Sequence, residues 1–205
     1  MRQNRHMKII GVTGGVGSGK SEVMKYIAGN YDAAVLLADH AGHLLMKTGQ
    51  PCYQRVRQLF GDRVLDEDGE LDRSRIAQIV YRDHAQLEAL NCIIHPAVRK
   101  YIMKQMEAAA EQGKMFFFLE AALLLEEHYD EICDEVWYIY AHQSVRRERL
   151  KKSRNYSDEK ITQMIANQLD EEEFKKRCGV TIDNSGTFEN TVRQIEARMK
   201  QWRTP

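Results

Sequence analysis

The chain has 205 residues, 43% apolar and 29% charged, a balance that suits one soluble core, and its 13 glycines and 3 prolines exclude collagenous or linker-dominated character. Its 30 Lys and Arg against 30 Asp and Glu give a formal net charge of zero, which excludes a global field toward nucleic acid or an anionic membrane, so any basic site must be local. No apolar run approaches the roughly 20 residues that span a bilayer; the longest, residues 115–125, is interrupted by Glu120.

In chain order, residues 1–6 form a short basic opening that reads as an N-terminal extension or an expression remnant, ahead of a single domain expected over 7–205. The apolar residues that follow run straight into glycines without a signal-peptide core, which predicts a cytoplasmic protein. Ile9, Ile10 and Val12 precede those glycines, and Val23, Met24, Ile27 and Ala28 recur at helical spacing, so the opening reads as strand, tight loop and helix. Residues 33–38, 115–119, 136–140 and 180–182 are further continuous apolar or β-branched runs, the pattern of strands covered on both faces of a parallel sheet. Helical segments separate them, which predicts an α/β fold with a five-stranded parallel sheet and ligands beyond the strands' carboxyl ends.

Two stretches exceed a simple crossover. Residues 40–113 are mostly helical in pattern, with breaks expected at 49–51, at 66–69 and at His95-Pro96, and read as a helical insertion. Residues 143–179 read as a helical hairpin: a basic helix, a break at Asn155-Tyr156, then Ser157 as N-cap with Asp158 and Glu159 in the next first turn. Cys52, Cys92, Cys133 and Cys178 are widely spaced and read as reduced packing residues. His40 and His43 could share a helical face, but no second pair of matching spacing exists, which argues against a metal site made of protein ligands alone.

The strongest chemical signal is Gly14-Gly15-Val16-Gly17-Ser18-Gly19-Lys20-Ser21, which satisfies G-x-x-x-x-G-K-[ST] between a strand and a helix. Such a loop turns backbone N–H groups around phosphate oxygens, with Lys20 for the β and γ phosphates and the Ser21 hydroxyl for Mg²⁺. Asp39, at the end of the second apolar run, suits a base for an attacking hydroxyl or, equally, a helix N-cap. Glu120 closes the third run as a Walker-B acid would, near Mg²⁺ or in its outer shell; the alternative is a surface acid. Residues 146–154 carry six cations in nine residues, open to three readings: a solvated helix face, a nucleic-acid patch, or a phosphate-clamping lid. The neutral balance and absence of interleaved aromatics disfavour the second, and the position after the fourth strand of a P-loop fold favours the lid. Gln168, a polar residue on the apolar stripe of Ile161, Met164, Ile165 and Leu169, also fits a lid.

From Met7 onward the sequence resembles the dephospho-CoA kinases, which phosphorylate the ribose 3′-hydroxyl of dephospho-CoA with ATP in the last step of coenzyme A synthesis. The resemblance rests on residues 11–21, on Ala38-Asp39, on Asp68-Gly69-Glu70-Leu71-Asp72-Arg73, on Leu87-Glu88, on Ile94-His95-Pro96 and on Leu123-Leu124-Leu125-Glu126. Arg149-Leu150, Gln168 and Ile182-Asp183-Asn184 are similar to the family's lid and adenine-side loop. It departs from the family at Ala122, Glu120, Glu22 and Gly179, and in the spacing of its lid arginines. The resemblance implies Asp39 as catalytic base, with Lys20, Arg146 and Arg149 completing the catalytic set. Residues 14–21 with Glu22, Arg154 and Asn184 would hold ATP, and Arg73, Leu87, His95, Pro96 and Glu120 with Asp39 would hold the acceptor.

The reading is therefore a P-loop NTPase fold of nucleoside-monophosphate-kinase type, with 40–113 as acceptor-binding insertion and 143–179 as lid, using ATP and Mg²⁺ on dephospho-CoA. No nucleic-acid or membrane partner is expected, and the chain is expected to be a monomer or weak homo-oligomer. The alternatives are another nucleoside or nucleotide kinase and, remotely, a GTPase-type switch. Asp66-Glu67-Asp68-Gly69 satisfies D-x-x-G, but it follows no Walker-B strand and no Asn-Lys-x-Asp accompanies it.

Overall fold

The central strand, β1 (Lys8–Thr13), carries fully buried Ile10 and Val12. In the computed structural model, which describes residues 7–203, it pairs in parallel with β3 (Phe116–Glu120) on one side and β4 (Glu135–Tyr140) on the other. The opening residues 1–6, read from sequence as an extension or remnant, lie outside the described residues. With β2 (Ala33–Leu37) beyond β3 and β5 (Val180–Asp183) beyond β4, the five-stranded parallel sheet has the order β2-β3-β1-β4-β5. Every residue of β3 is buried, which is why its sequence is a continuous apolar run rather than an alternating one. Phe118 meets Trp137 of β4 edge to face, with ring centroids 5.4 Å apart.

The chain divides into two compact units, one formed up to Val35 and from Ala109 onward, the other Leu36–Ala108. The first unit contains most of the sheet and α1 (Lys20–Asn30), whose Val23, Met24 and Ile27 are buried on one face. After β4 come α6 (Gln143–Arg154), α7 (Asp158–Ala166) and α8 (Glu171–Arg177), and after β5 comes α9 (Phe188–Arg203). Residues 143–179 thus hold three helices, not a hairpin of two. Asp170 accepts the Glu173 N–H at 2.8 Å, acids fill the first turn of α8 and cations its last, so this short helix is capped and matched to its own dipole. Asn155, at φ 50°, ends α6, and Ser157 caps α7 as expected.

The second unit contains α2 (Ala38–Leu45), α3 (Tyr53–Phe60), α4 (Arg73–Arg82) and most of α5 (His84–Glu111). Asp72 caps α4 by accepting the Ser74 and Arg75 N–H groups at 2.8 and 3.2 Å. Asp66 accepts the Asp68 and Glu70 N–H groups at 3.0 and 2.9 Å, closing a turn between the bridged Leu65 and Leu71. The D-x-x-G sequence is therefore a turn device.

Three expectations are corrected. The break at His95-Pro96 is absent: α5 runs through Pro96, because Leu90, Ile93, Val98, Ile102 and Met106 bury a continuous stripe whose packing outweighs the lost backbone donor. Asp39 does not close β2, which ends at Leu37; it is the second residue of α2, and the N-cap position falls on Leu37, so the capping alternative fails as well. A carboxylate in the first turn still favours the positive end of the helix. Of the cysteines, Cys52 and Cys178 are buried and Cys133 half-buried, but Cys92 is exposed. Burial pushes the Cys133 and Cys178 thiols up to about 12, so neither is a ready nucleophile. Among the described residues no helix is long and apolar enough to cross a membrane.

Phe118 is fully buried in the middle of this sheet. Phe118→Ala is expected to cost roughly 3–5 kcal/mol of unfolding free energy in a urea titration, and a loss below about 1 kcal/mol would mean that the β3–β4 face is not the stability core.

Candidate active site

β1 ends at Thr13 and α1 begins at Lys20, so residues 14–19 form a loop at the carboxyl edge of the central strand, between its two neighbours. That edge, where strand order reverses, is where open α/β sheets bind ligands. Gly19 enters α1 at φ 92° and no side chain caps the helix, which leaves its first turn as an anion-facing terminus. Gly14, at φ 147°, permits the loop's entry; a Cβ there would lie 2.4 Å from the Ile139 carbonyl oxygen.

A loop that curls its N–H groups inward turns carbonyls outward, and these need donors. Lys20 Nζ donates to the Gly14 carbonyl at 2.6 Å. Arg146 Nε donates to the Val16 carbonyl at 2.9 Å. The Ser18 carbonyl accepts from Asn184 Nδ2 at 2.7 Å and from Arg149 Nη1 at 3.3 Å. Asn184 is fully buried and its Oδ1 accepts the hydroxyl of equally buried Thr191 at 2.8 Å, which fixes the direction of its amide. Arg149 also donates to the Asn184 carbonyl at 2.9 Å, so the end of β5, α6 and the loop are tied at one place.

The loop is flanked on its charged side by Glu120. Strand register sets Glu120 beside Val12, one residue before the end of β1, and its carboxylate lies 3.9 Å from Lys20 Nζ with both side chains largely buried. Ser21 and Glu22 are exposed in the first turn of α1. Thr13 Oγ1 and Ser18 Oγ are buried hydroxyls without a hydrogen-bond partner among the described residues.

Two of the basic segment's arginines reach the loop. The Arg146 guanidinium covers Gly15 so closely that a Cβ there would lie 2.3 Å from it, and its Nη2 donates to Gln168 Oε1 at 2.8 Å. The same Gln168 oxygen accepts the Val16 N–H at 3.0 Å. Burial lowers the Arg146 pKa from its ordinary value, opposed by Tyr138, Glu171 and Tyr140, but an arginine in a protein stays charged. Arg147 turns instead to Asp158 and Thr162, and Arg154 lies 6.0 Å from the Tyr156 ring, away from the loop. Gln168 was legible as a polar interruption of an apolar stripe and, by resemblance, as a lid residue, whereas Thr191 carried no sequence signal at all.

Apart from Glu120 on β3, the acceptor-side candidates belong to the helical unit. Asp39 is exposed on α2, and His43 one turn later is held below the usual imidazole range first by burial and then by the charge of Arg73, with Asp39 opposing. Asp39, His43 and Arg73 are therefore electrostatic neighbours. α2 packs on α5 at Gly42, where a Cβ would lie 3.8 Å from Ile94 and Val98, beside His95 and Pro96. Leu87 is about two turns earlier on α5. Among the described residues no group of three or more His, Cys, Asp or Glu could hold a metal ion by itself.

The family model described as dephospho-CoA kinase matches residues 8–190. The dephospho-CoA kinase of Carboxydothermus hydrogenoformans is 34% identical over 197 residues, covering 96% of this chain and 95% of its own. Among solved structures, the Thermus thermophilus protein TT1252 aligns with a TM-score of 0.82 at 28% identity, over 96% of this chain and 98% of that one. A dephospho-CoA kinase from Campylobacter jejuni aligns with a TM-score of 0.71 at 21% identity, over 96% and 97% of the two chains, a likeness of fold. A P-loop on the central strand of a parallel sheet, its carbonyls held by Arg146 and Arg149, thus meets a match over nearly the whole sequence: the chain belongs to the dephospho-CoA kinase family, phosphate-transferring enzymes of the final step of coenzyme A biosynthesis.

Proposed function

We propose that the chain transfers the γ-phosphoryl group of ATP to the ribose 3′-hydroxyl of dephospho-CoA, with ATP on residues 14–22 and the acceptor on the helical unit 36–108. The observation that carries this reading is the Lys20–Glu120 approach at 3.9 Å beneath a loop overlain by Arg146. It gathers a lysine for the β and γ phosphates, an acid at a strand end and a guanidinium over Gly15, the parts that phosphoryl transfer requires.

Mg²⁺ fits this donor set: Ser21 offers a hydroxyl at the head of α1 and Glu120 a carboxylate beside Lys20, while ATP oxygens and water would complete the shell. The chemistry such an ion would supply there is countercharge to the phosphate oxygens. The chain's own work is electrostatic and positional. Lys20 offsets charge developing on the bridging oxygen, Arg146 and Arg149 steady the transferring group, and Gln168 orients Arg146. Asp39 accepts the proton of the 3′-hydroxyl as its oxygen bonds to the γ-phosphorus and the bond to the β-phosphate oxygen breaks, releasing ADP. Arg73, Leu87, His95 and Pro96, with Glu120, bind the acceptor. Asn184 serves the nucleotide side through the loop carbonyl it holds. Four free cysteines support a reducing, cytoplasmic setting.

Incubating the protein with Mg-ATP and a panel of acceptors, with mass detection of products, is expected to add one phosphoryl group to dephospho-CoA and none to free nucleosides or nucleoside monophosphates. The reverse selectivity would identify a different nucleotide kinase. Asp39 is tested separately. If it only complements the α2 dipole, Asp39→Asn costs about 0.3–1 kcal/mol of stability and little rate. As general base, its loss lowers kcat by roughly 10² to 10⁴ while ATP affinity stays within a few-fold. A variant within about threefold of the parent kcat would remove the base role.

A further inference from the structure

The helical unit carries a second concentration of positive charge apart from the proposed acceptor residues. A cleft of about 480 Å³ opens between the 3-10 turn Asp62–Val64, α4 and the start of α5, lined by Arg63, Arg75, Ile79, Arg82, Asp83 and Gln86. With about 100° between successive helical residues, Arg75, Gln78, Ile79 and Arg82 share one face of α4. Arg73 points roughly to the opposite side, toward His43 and Asp39. The cleft is thus not an extension of the acceptor residues.

Its cations are held but not spent. Arg63 donates through Nε to the Phe60 carbonyl at 3.0 Å, which leaves its terminal nitrogens available. Arg75 is anchored to Asp72 at 3.1 Å and to the Leu65 carbonyl. Arg82 has no hydrogen bond or ion pair among the described residues. Of the carboxylates beside them, Asp62 is paired with Arg57 at 2.7 Å and Asp72 with Arg75 at 3.1 Å, which leaves Asp83 alone against Arg63 and Arg82, so positive charge is in excess. Gln86 Oε1 is buried without a partner among the described residues, an acceptor that calls for a donor.

We propose that this cleft binds a phosphate ester that also carries hydroxyl or N–H donors, a ligand of the sugar-phosphate or nucleotide class, independently of the transfer site. Guanidinium groups of Arg63 and Arg82 take the phosphate oxygens, Gln86 Oε1 accepts a ligand hydroxyl, and Ile79 supplies an apolar wall. The volume lies within the roughly 300–1,000 Å³ of small-molecule sites.

Calorimetric titration of the full chain with inorganic pyrophosphate tests this. Two binding equivalents are expected in the parent protein. Arg82→Ala and Arg63→Gln, each checked for an unchanged melting temperature, should weaken one of them by roughly tenfold or more. Lys20→Ala should weaken the other and keep the cleft equivalent, so a failure of the transfer-site reading is seen separately. In the Lys20→Ala background, ribose 5-phosphate should bind more tightly than inorganic phosphate, since only it brings hydroxyls to Gln86. A single equivalent in the parent, or two retained in both arginine variants, would overturn the site, and equal binding of the two phosphates would overturn the ligand class.

Discussion

The Ser18 carbonyl, held by Asn184 Nδ2 at 2.7 Å and by Arg149 Nη1 at 3.3 Å, is the contact on which the loop of residues 14–19 depends. A phosphate-receiving loop has to aim its N–H groups at a ligand, and the geometry that does so leaves carbonyls facing the protein. In the low-dielectric interior an unpaired carbonyl costs about as much as a lost hydrogen bond. The loop is therefore defined by what satisfies its outer face as much as by its glycines. Lys20 serves Gly14, Arg146 serves Val16, and Asn184 with Arg149 serves Ser18.

That constraint links elements far apart in sequence. Asn184 follows β5 and is fixed by Thr191 of α9, so the last strand and the C-terminal helix brace a loop that begins at residue 14. Arg146 and Arg149, one turn apart on α6, serve the same face, and Gln168 joins Arg146 to the Val16 N–H. Arg146 and Arg149 thus complete the loop's hydrogen bonding, and in the proposed reaction they would also supply charge where the phosphoryl group passes. A lysine at either position would keep the charge but lose the fork that reaches two partners at once.

Much of this was legible in the sequence where a single local rule governs. The buried strands read as continuous apolar runs, and residues 14–21 satisfied a motif whose spacing is set by phosphate geometry. What escaped reading depended on partners distant in the chain. The spacing of residues 146–154 could not say that Arg146 and Arg149 face the loop while Arg154 faces Tyr156, because that depends on how α6 leaves β4. Asn184 read as an adenine-side residue by resemblance, whereas its amide is committed to Ser18 and Thr191. Pro96 read as a break because the local rule was applied without the apolar stripe that overrides it. α8 was the opposite case: Asp170, three glutamates and the closing cations are a complete local signal, but the charge run merged with its neighbours.

The central claim, that donors from outside the loop hold its phosphate-receiving shape, is tested most directly by hydrogen exchange in Asn184→Ala. The account predicts that amides of residues 14–20 exchange roughly tenfold faster or more, the effect of one lost buried hydrogen bond, that ATP affinity falls in parallel, and that β3 amides keep their protection. Unchanged exchange in residues 14–20 with undiminished ATP affinity would contradict it and leave the glycine sequence alone as the determinant of the loop.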